Sequence, residues 1–353
     1  DDIRGVTSNP AIFQKAMGEG TEYDAQIRDV LAHDNVSPGA LYEKLAVRDI
    51  KTAAHVLAPV YEATHKKDGF VSLEVSPYLA RDEKGTAHEA QRLWADVAEP
   101  NLMIKIPATP ESIPAIRETI AAGINVNVTL IFALSAYKAV VDAWLLGLED
   151  LQKKGGDLSK VASVASFFVS RIDGKIDAEI DRRVKAGDKD ADALKALRGK
   201  VAIANAKVAY GYWQEIMQTP RWKALEAAGA QPQRLLWAST GTKDKAYSDV
   251  LYVDSLIGPH TVNTVPPATM DAFRDHGTVS ETLMAGLDDA RHVMSEAERL
   301  KLDLDGVTAT LVDEGVTSFE EAFDSLLGSV AAKQQAMLGD KLTDMKTSLP
   351  APL

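Results

Sequence analysis

Short apolar runs alternate with longer amphipathic stretches along most of this chain. Residues 3–7, 70–75, 102–106, 124–132, 161–169, 234–238 and 261–265 have the length and the β-branched content of strands. Between them, residues 38–62, 87–98, 111–122 and 136–153 place apolar side chains at helical spacing. Strands separated by helices of this length predict βαβ units and a parallel sheet, hence an α/β fold. Seven strands are visible, and one more ahead of them would complete a (β/α)8 TIM barrel. The chain opens at Asp1 and enters the first run almost at once, so the first strand is expected to precede the given sequence. An open doubly wound sheet is the runner-up, but no Gly-rich nucleotide fingerprint follows the first visible strand.

The remaining segments predict extra helices on a single barrel domain spanning residues 1–353. From 173 to 230 there is no strand signal; 176–185 and 201–217 read as helices, and 187–196 opens as a polar surface turn. Beyond Pro266-Pro267 the chain is again helical, with 280–300 and 318–345 as the long elements and Asp305-Gly306 as the turn between them. The organisation expected is a barrel with a helical insertion over 174–230 and a helical C-terminal region over 280–348.

Within the strands the two-residue period separates polar from apolar faces. Asn125, Asn127 and Thr129 share one face; Ile124, Val126, Val128 and Leu130 share the other. Ser72 and Glu74 oppose Val71, Leu73 and Val75, and Met103 and Lys105 oppose Leu102, Ile104 and Ile106. Thr7 and Asn9 share parity, as do Val164, Ser166 and Phe168. In a parallel barrel such polar residues near the strand ends describe a water-accessible mouth. Lys105 stands out, because lysine is almost never fully buried unless it is paired or chemically required. Desolvation disfavours the charged form of an amine, and an uncharged lysine attacks carbonyls to form Schiff bases. The plainer reading is a strand-end lysine that snorkels to water.

Composition narrows the chemistry. The 353 residues are 46% hydrophobic and 25% charged, the profile of an ordinary globular protein. A formal charge of −12 argues against nucleic acid and anionic membrane surfaces as partners. No apolar run approaches the roughly 18 residues of a membrane span. Zero cysteines exclude disulfides and thiolate metal sites, and with no signal-peptide pattern the cytoplasm is the expected location. The seven histidines show no metal-ligand spacing. The acidic run 188–192 resembles a calcium loop, but Ala193 stands where glycine is required and Gly199 where glutamate is. Neither metal nor cofactor is expected. Tyr210, Tyr212 and Trp213 read as helix packing.

Each candidate has a plainer structural reading beside it. Asn9 before Pro10 fits a turn or helix cap; Glu74 fits an ion-pair partner of Lys105; Arg171 fits a salt bridge to Asp173 or Asp177. Asn127-Val128-Thr129 is formally a glycosylation sequon, but a buried strand is the wrong place for one. Ser166 to Arg171, together with the loop Ser239-Thr240-Gly241-Thr242-Lys243, gathers hydroxyls, amides and two cations after the sixth and seventh strands of a barrel counted with its missing first strand. Late strand ends are where barrel enzymes often bind phosphate.

Taken in order, these segments resemble the transaldolase family nearly end to end. Gly5-Val6-Thr7-Ser8-Asn9-Pro10 is similar to its Thr-x-Asn-Pro signature, and Met103-Ile104-Lys105-Ile106-Pro107-Ala108 to its Schiff-base strand. Residues 125–132 and 166–173 resemble the next two strands, and the Ser-Thr-Gly-Thr-Lys loop resembles the longer actinobacterial and plant-type branch. The resemblance implies a cofactor-free transferase of the pentose phosphate pathway that acts on sugar phosphates. It would move a dihydroxyacetone unit from sedoheptulose 7-phosphate or fructose 6-phosphate to an aldose phosphate. By position, Lys105 would be the nucleophile, Glu74 and Thr129 would hold the catalytic water, and Asn9, Asn127 and Ser166 would bind sugar hydroxyls. Arg171, Ser239 and Lys243 would bind phosphate. Phe168 stands where related fructose-6-phosphate aldolases carry tyrosine, which favours transfer over cleavage. The family's acid/base aspartate would precede Asp1, so the chain as given is expected to lack it. A fructose-6-phosphate aldolase-type lyase, or a non-catalytic sugar-phosphate-binding barrel, is the alternative. A monomer and a homodimer fit equally well.

Overall fold

The computed structural model describes residues 3–18 and 20–339. It is α/β, with seven parallel strands whose order along the sheet is their order in the chain. This is the strand succession of a TIM barrel. The chain divides into two compact units, residues 1–78, 92–102 and 316–353 in one, and 79–91 and 103–315 in the other.

In the first unit β1 (Gly5–Thr7) pairs with β2 (Phe70–Glu74), Thr7 opposite Ser72. α1 (Pro10–Phe13) starts at Asn9, whose side chain accepts the Ile12 N–H at 2.8 Å. The helix-cap reading of Asn9 therefore holds, with the proline pre-set at the first helical position. A π-turn over Gln14–Gly18 and α2 (Asp24–His33) follow. α3 (Pro38–Ala63) is capped by Ser37, whose Oγ accepts the Ala40 N–H. Its buried face is Leu41, Leu45, Ala46, Ile50, Ala54, Leu57 and Tyr61, the three-four spacing of one helical stripe. Asn101 ties this helix to the sheet by donating to the Ala54 and Gly69 carbonyls at 2.9 and 2.8 Å.

Between β2 and the next strand runs α4 (Glu83–Val97). The second unit takes up β3 (Leu102–Pro107) from Met103 onward. Then come α5 (Ile113–Ala121), β4 (Val126–Ile131), α6 (Leu134–Lys153), β5 (Ser163–Phe168) and α7 (Ser170–Lys185). Every residue of β3, β4 and β5 is buried. Burial on both faces is why these strands read as largely apolar runs. α8 (Ala191–Leu197), α9 (Val201–Ile216) and α10 (Pro220–Ala227) form the insertion before β6 (Arg234–Ala238). α11 (Leu251–Asp254), β7 (Thr261–Asn263), α12 (Pro267–His276) and α13 (Leu287–Arg299) complete this part. Aromatic contacts pin the insertion, with Trp144 of α6 5.0 Å from Trp222 of α10 and Tyr210 stacked on Trp213. The three aromatics of α9 therefore serve packing, as expected.

Two expectations need correction. Asp305-Gly306 is no turn: both residues lie in the first turn of α14 (Leu304–Leu338). The chain reverses before it, where Lys301 and Asp303 take left-handed φ of 56° and 46° and the Asp303 carboxylate accepts the Gly306 N–H at 3.2 Å. The predicted end of this helix at 345 lies outside the described residues. The strict alternation of β4 also breaks. Val128 pairs with Ala165 and Ile131 with Phe167, so Thr129 and Leu130 together oppose Ser166 across a bulge. Leu130 takes a left-handed φ of 57°, unusual for a bulky residue. It is accommodated because α14 presents Gly315 there; a Cβ on that glycine would lie 2.8 Å from a Leu130 methyl. Among the described residues no helix is long and apolar enough to cross a membrane.

Candidate active site

Register decides which side chains share a face. Lys105 lies opposite Asn127, and Asn127 opposite Val164, so all three project to the same side of β3, β4 and β5. Pro107 pairs with Thr129 one step further toward the strand ends. Ser166 donates from Oγ to the Asn127 carboxamide oxygen at 2.7 Å. That bond fixes the Asn127 amide, turning its Nδ2 donors away from Ser166. Lys105 is 5% exposed, Asn127 2%, Thr129 1% and Ser166 3%. A lysine this buried among hydroxyls and an amide has not snorkelled to bulk water, so the plainer reading of Lys105 does not hold. Asn125, by contrast, does not join them. Its side chain accepts the Ala162 N–H at 2.8 Å near the start of the strand and serves as a structural peg.

Past the end of β5 the character changes from buried amide to cations, half-buried at Arg171 and exposed at Lys243. Arg171 lies 5.5 Å above the Phe168 ring, and Phe132 packs 5.0 Å from that ring. The plainer reading of Arg171 as a salt-bridge partner of Asp173 or Asp177 is not met: among the described residues neither Arg171 nor Lys243 makes an ion pair. Burial pushes the Arg171 guanidinium below its ordinary value, with Glu314 opposing. The Lys243 ammonium is likewise lowered, first by partial desolvation of its tip and then by the positive charge of Arg171, although the residue as a whole is exposed. A desolvated guanidinium whose charge also lowers the neighbouring ammonium is a receptive arrangement for an anion, which would relieve the strain on Lys243.

Ser239 follows β6 in a left-handed conformation, φ 55°. Its carbonyl accepts the Ser170 N–H at 3.1 Å, and the two hydroxyls lie 3.1 Å apart. This double contact sets the start of the cationic loop against the N-terminus of α7. A non-glycine residue held at positive φ costs on the order of 1 kcal/mol and persists where surroundings over-determine it.

In the first unit, Glu74 ends β2 half-buried and Asn9 ends the segment after β1. Ser8 is held beside them by donation from Oγ to the Ser72 carbonyl at 2.7 Å. The Asn9 oxygen is committed to capping α1, so any ligand would meet its Nδ2 donors.

Three contributors had no individual role in the sequence pattern: Ser170 and Thr240 lie within the segments 166–171 and 239–243 without being singled out, and Asn205 lies outside every motif. Ser170 adjoins the recognised strand but carries no motif of its own. Thr240, fully buried, donates to Asn263 at 2.8 Å and closes the loop from the β7 side. Asn205 of α9, 1% exposed, donates to the Phe132 carbonyl at 2.8 Å and so holds the end of β4. Its signal was present: a lone amide inside the apolar run Val201-Ala202-Ile203-Ala204-Asn205-Ala206. Among the described residues no group of three or more histidine or carboxylate side chains is placed to hold a metal.

Comparison with known proteins covers the whole of this framework. A family model described as Transaldolase/Fructose-6-phosphate aldolase matches residues 1–330. The chain is 51% identical over 337 residues to a protein named transaldolase from Thermobifida fusca, covering 95% of this chain and 89% of that one. It is 48% identical over 336 residues to a transaldolase of Trichodesmium erythraeum, 94% and 88% of the two chains. Against a Streptomyces coelicolor protein named transaldolase 2 the figure is 48% over 340 residues, 96% and 90%.

Proposed function

Since this chain belongs to the transaldolase/fructose-6-phosphate aldolase family, we propose that it is a transaldolase that works through a Schiff base on Lys105. The observation that carries the proposal is a lysine 5% exposed, level in the sheet with Asn127 and one step below Thr129.

The amine must be uncharged to attack the ketone of a sugar phosphate. Attack gives a carbinolamine, and loss of water gives an iminium, which withdraws electrons as the C3–C4 bond breaks. A base takes the C4 hydroxyl proton, the aldose leaves, and a three-carbon enamine stays on the lysine. Addition of that enamine to the aldehyde of an aldose phosphate reverses the sequence, and water releases the new ketose. Asn127 and Ser166 would hydrogen-bond the sugar hydroxyls, and Thr129 the water that relays protons. Arg171, Ser239 and Lys243 would take the phosphate, and Phe168 would line the path between them. Glu74 and Asn9 are proposed, on family resemblance, for the catalytic water and a sugar hydroxyl respectively; each is testable by its own substitution.

The test is acceptor dependence. With fructose 6-phosphate and an aldose phosphate the chain should form a new ketose phosphate, and without acceptor it should stall after one turnover. Multiple turnovers to free dihydroxyacetone without acceptor would establish the lyase reading instead, and sugar-phosphate binding with neither turnover nor a borohydride-reducible adduct on Lys105 would establish a non-catalytic barrel.

A further inference from the structure

The segment between β6 and α11 carries two of the proposed phosphate contacts, Ser239 and Lys243, yet has no regular structure of its own. Local bonds restrain it weakly: Asp244 accepts the Ala246 N–H at 2.9 Å, and Thr242 donates to the Ser248 carbonyl at 2.9 Å. The stronger restraints come from a different part of the chain. Asp173 and Asp177 sit one turn apart on the buried face of α7, 1% and 5% exposed. Asp173 accepts the Ala202 N–H at 2.8 Å and the Tyr252 hydroxyl at 2.9 Å. Asp177 accepts the Gly199 N–H at 3.0 Å and the Tyr247 hydroxyl at 2.7 Å. Arg198 donates to Asp181 through two nitrogens, to Asp244 at 2.9 Å and to the Tyr247 oxygen at 3.1 Å.

Tyr247 is therefore gripped from three sides. Its hydroxyl gives one hydrogen bond and takes another, and the Arg198 guanidinium lies 5.5 Å over its ring. Under the ring is Gly199, at φ 69°, where a Cβ would approach Tyr247 Cζ to 2.8 Å. Only glycine suits that backbone and leaves room for the ring. Burial raises both carboxyls, Asp173 to about 6, so the arrangement costs stability at neutral pH. A costly polar network that converges on an irregular loop is better explained by placement of that loop than by packing.

We propose that Tyr247 is a positioning residue for phosphate recognition: anchored to Asp177 and seated on Gly199, it holds the post-β6 loop so that Ser239 and Lys243 meet the phosphate in a preset geometry. This rests on the reading of Arg171, Ser239 and Lys243 as a phosphate site. Preorganisation raises affinity by removing the ordering cost from the binding step.

The test is Tyr247→Phe, which keeps the ring and deletes both hydroxyl bonds, read by inhibition with inorganic phosphate and by kinetics on fructose 6-phosphate and fructose. The phosphate inhibition constant and the KM for fructose 6-phosphate should each rise about three- to fivefold, at most the loss of the Lys243 contact itself. The kcat on fructose 6-phosphate and the kinetics on fructose should stay within about twofold. In a Lys243→Ala background the same change should add little, because its effect passes through that side chain. Asp244→Asn, which loosens the Arg198 clasp without touching the buried carboxylates, should move the phosphate constant in the same direction. If Lys243→Ala weakens phosphate inhibition while Tyr247→Phe and Asp244→Asn do not, the positioning role is wrong and the phosphate site stands. If Arg171→Ala and Lys243→Ala both leave phosphate inhibition unchanged, the site reading falls and the proposal with it. An equal loss on both sugars marks a general defect and also overturns the proposal.

Discussion

Replacing Arg171 with alanine probes the phosphate site where the geometry is most specific. The guanidinium is half-buried, makes no ion pair among the described residues, and is held over Phe168 at 5.5 Å. Its position is thus set by an aromatic face and by burial, and its donors remain available to a dianion. A hydrogen bond to a charged group contributes about 1.5–3 kcal/mol, which corresponds to roughly 10- to 150-fold in affinity. Lys243 stands in more open surroundings, where solvent screening reduces an ionic contact to about 0.5–1 kcal/mol, or roughly two- to fivefold. The two substitutions should therefore rank, with Arg171→Ala well above Lys243→Ala. The assay is the ratio of kcat/KM for fructose 6-phosphate to that for fructose, measured for both variants and the parent. Arg171→Ala should collapse that ratio chiefly through KM, and Lys243→Ala should reduce it modestly. An unchanged ratio in Arg171→Ala would refute the assignment, and a larger effect at Lys243 would refute the burial argument.

Further expectations follow from individual contacts. Asp173 is raised from 3.8 to about 6, first by burial. Between those pH values the native state keeps a proton that the unfolded chain releases, so native stability falls as pH rises through that window. Asp173→Asn keeps an acceptor for the Ala202 N–H and removes the charge, so its stability relative to the parent should improve from pH 4 to 7. The improvement approaches about 3 kcal/mol as a ceiling, and urea unfolding curves that stay parallel across that range would contradict this. Asn205→Ala deletes the bond to the Phe132 carbonyl and leaves a buried acceptor unpartnered, at a cost of about 1–3 kcal/mol in denaturant unfolding. No loss would show that the end of β4 is held by packing alone. Gly315→Ala forces a Cβ against Leu130 and should lower the melting temperature while also lowering kcat, because the bulge beside Thr129 must shift. A stability loss with kcat intact would separate the bulge from the chemistry.

Much of the fold was legible because parallel strands are buried on both faces. The segments around Ile104, Val128 and Phe167 betray themselves as apolar runs, and a single charge inside one, Lys105, is visible against that background. Polar alternation grouped Asn125, Asn127 and Thr129; the register sets Asn127 level with Lys105 and Thr129 with Pro107, and Ser166 bonds Asn127, whereas Asn125 turns to the Ala162 N–H. The bulge at Leu130 was hidden, because a left-handed leucine is imposed by tertiary packing against Gly315 rather than by local preference. The misplaced turn at Asp305-Gly306 has a similar origin. Asp-Gly is a common turn pair, but here the Asp303 carboxylate caps the helix ahead of it and carries the glycine into the first turn. The carboxylates of α7 looked like ordinary partners for Arg171, and only the fold turns them inward toward Tyr247 and Tyr252.

The most direct test of the account is mass spectrometry of the chain after borohydride reduction in the presence of fructose 6-phosphate. A three-carbon dihydroxyacetone adduct should be fixed on the peptide containing Lys105 and should vanish in Lys105→Ala. A reduced adduct on any other lysine, or full turnover by Lys105→Ala, would contradict the Schiff-base assignment.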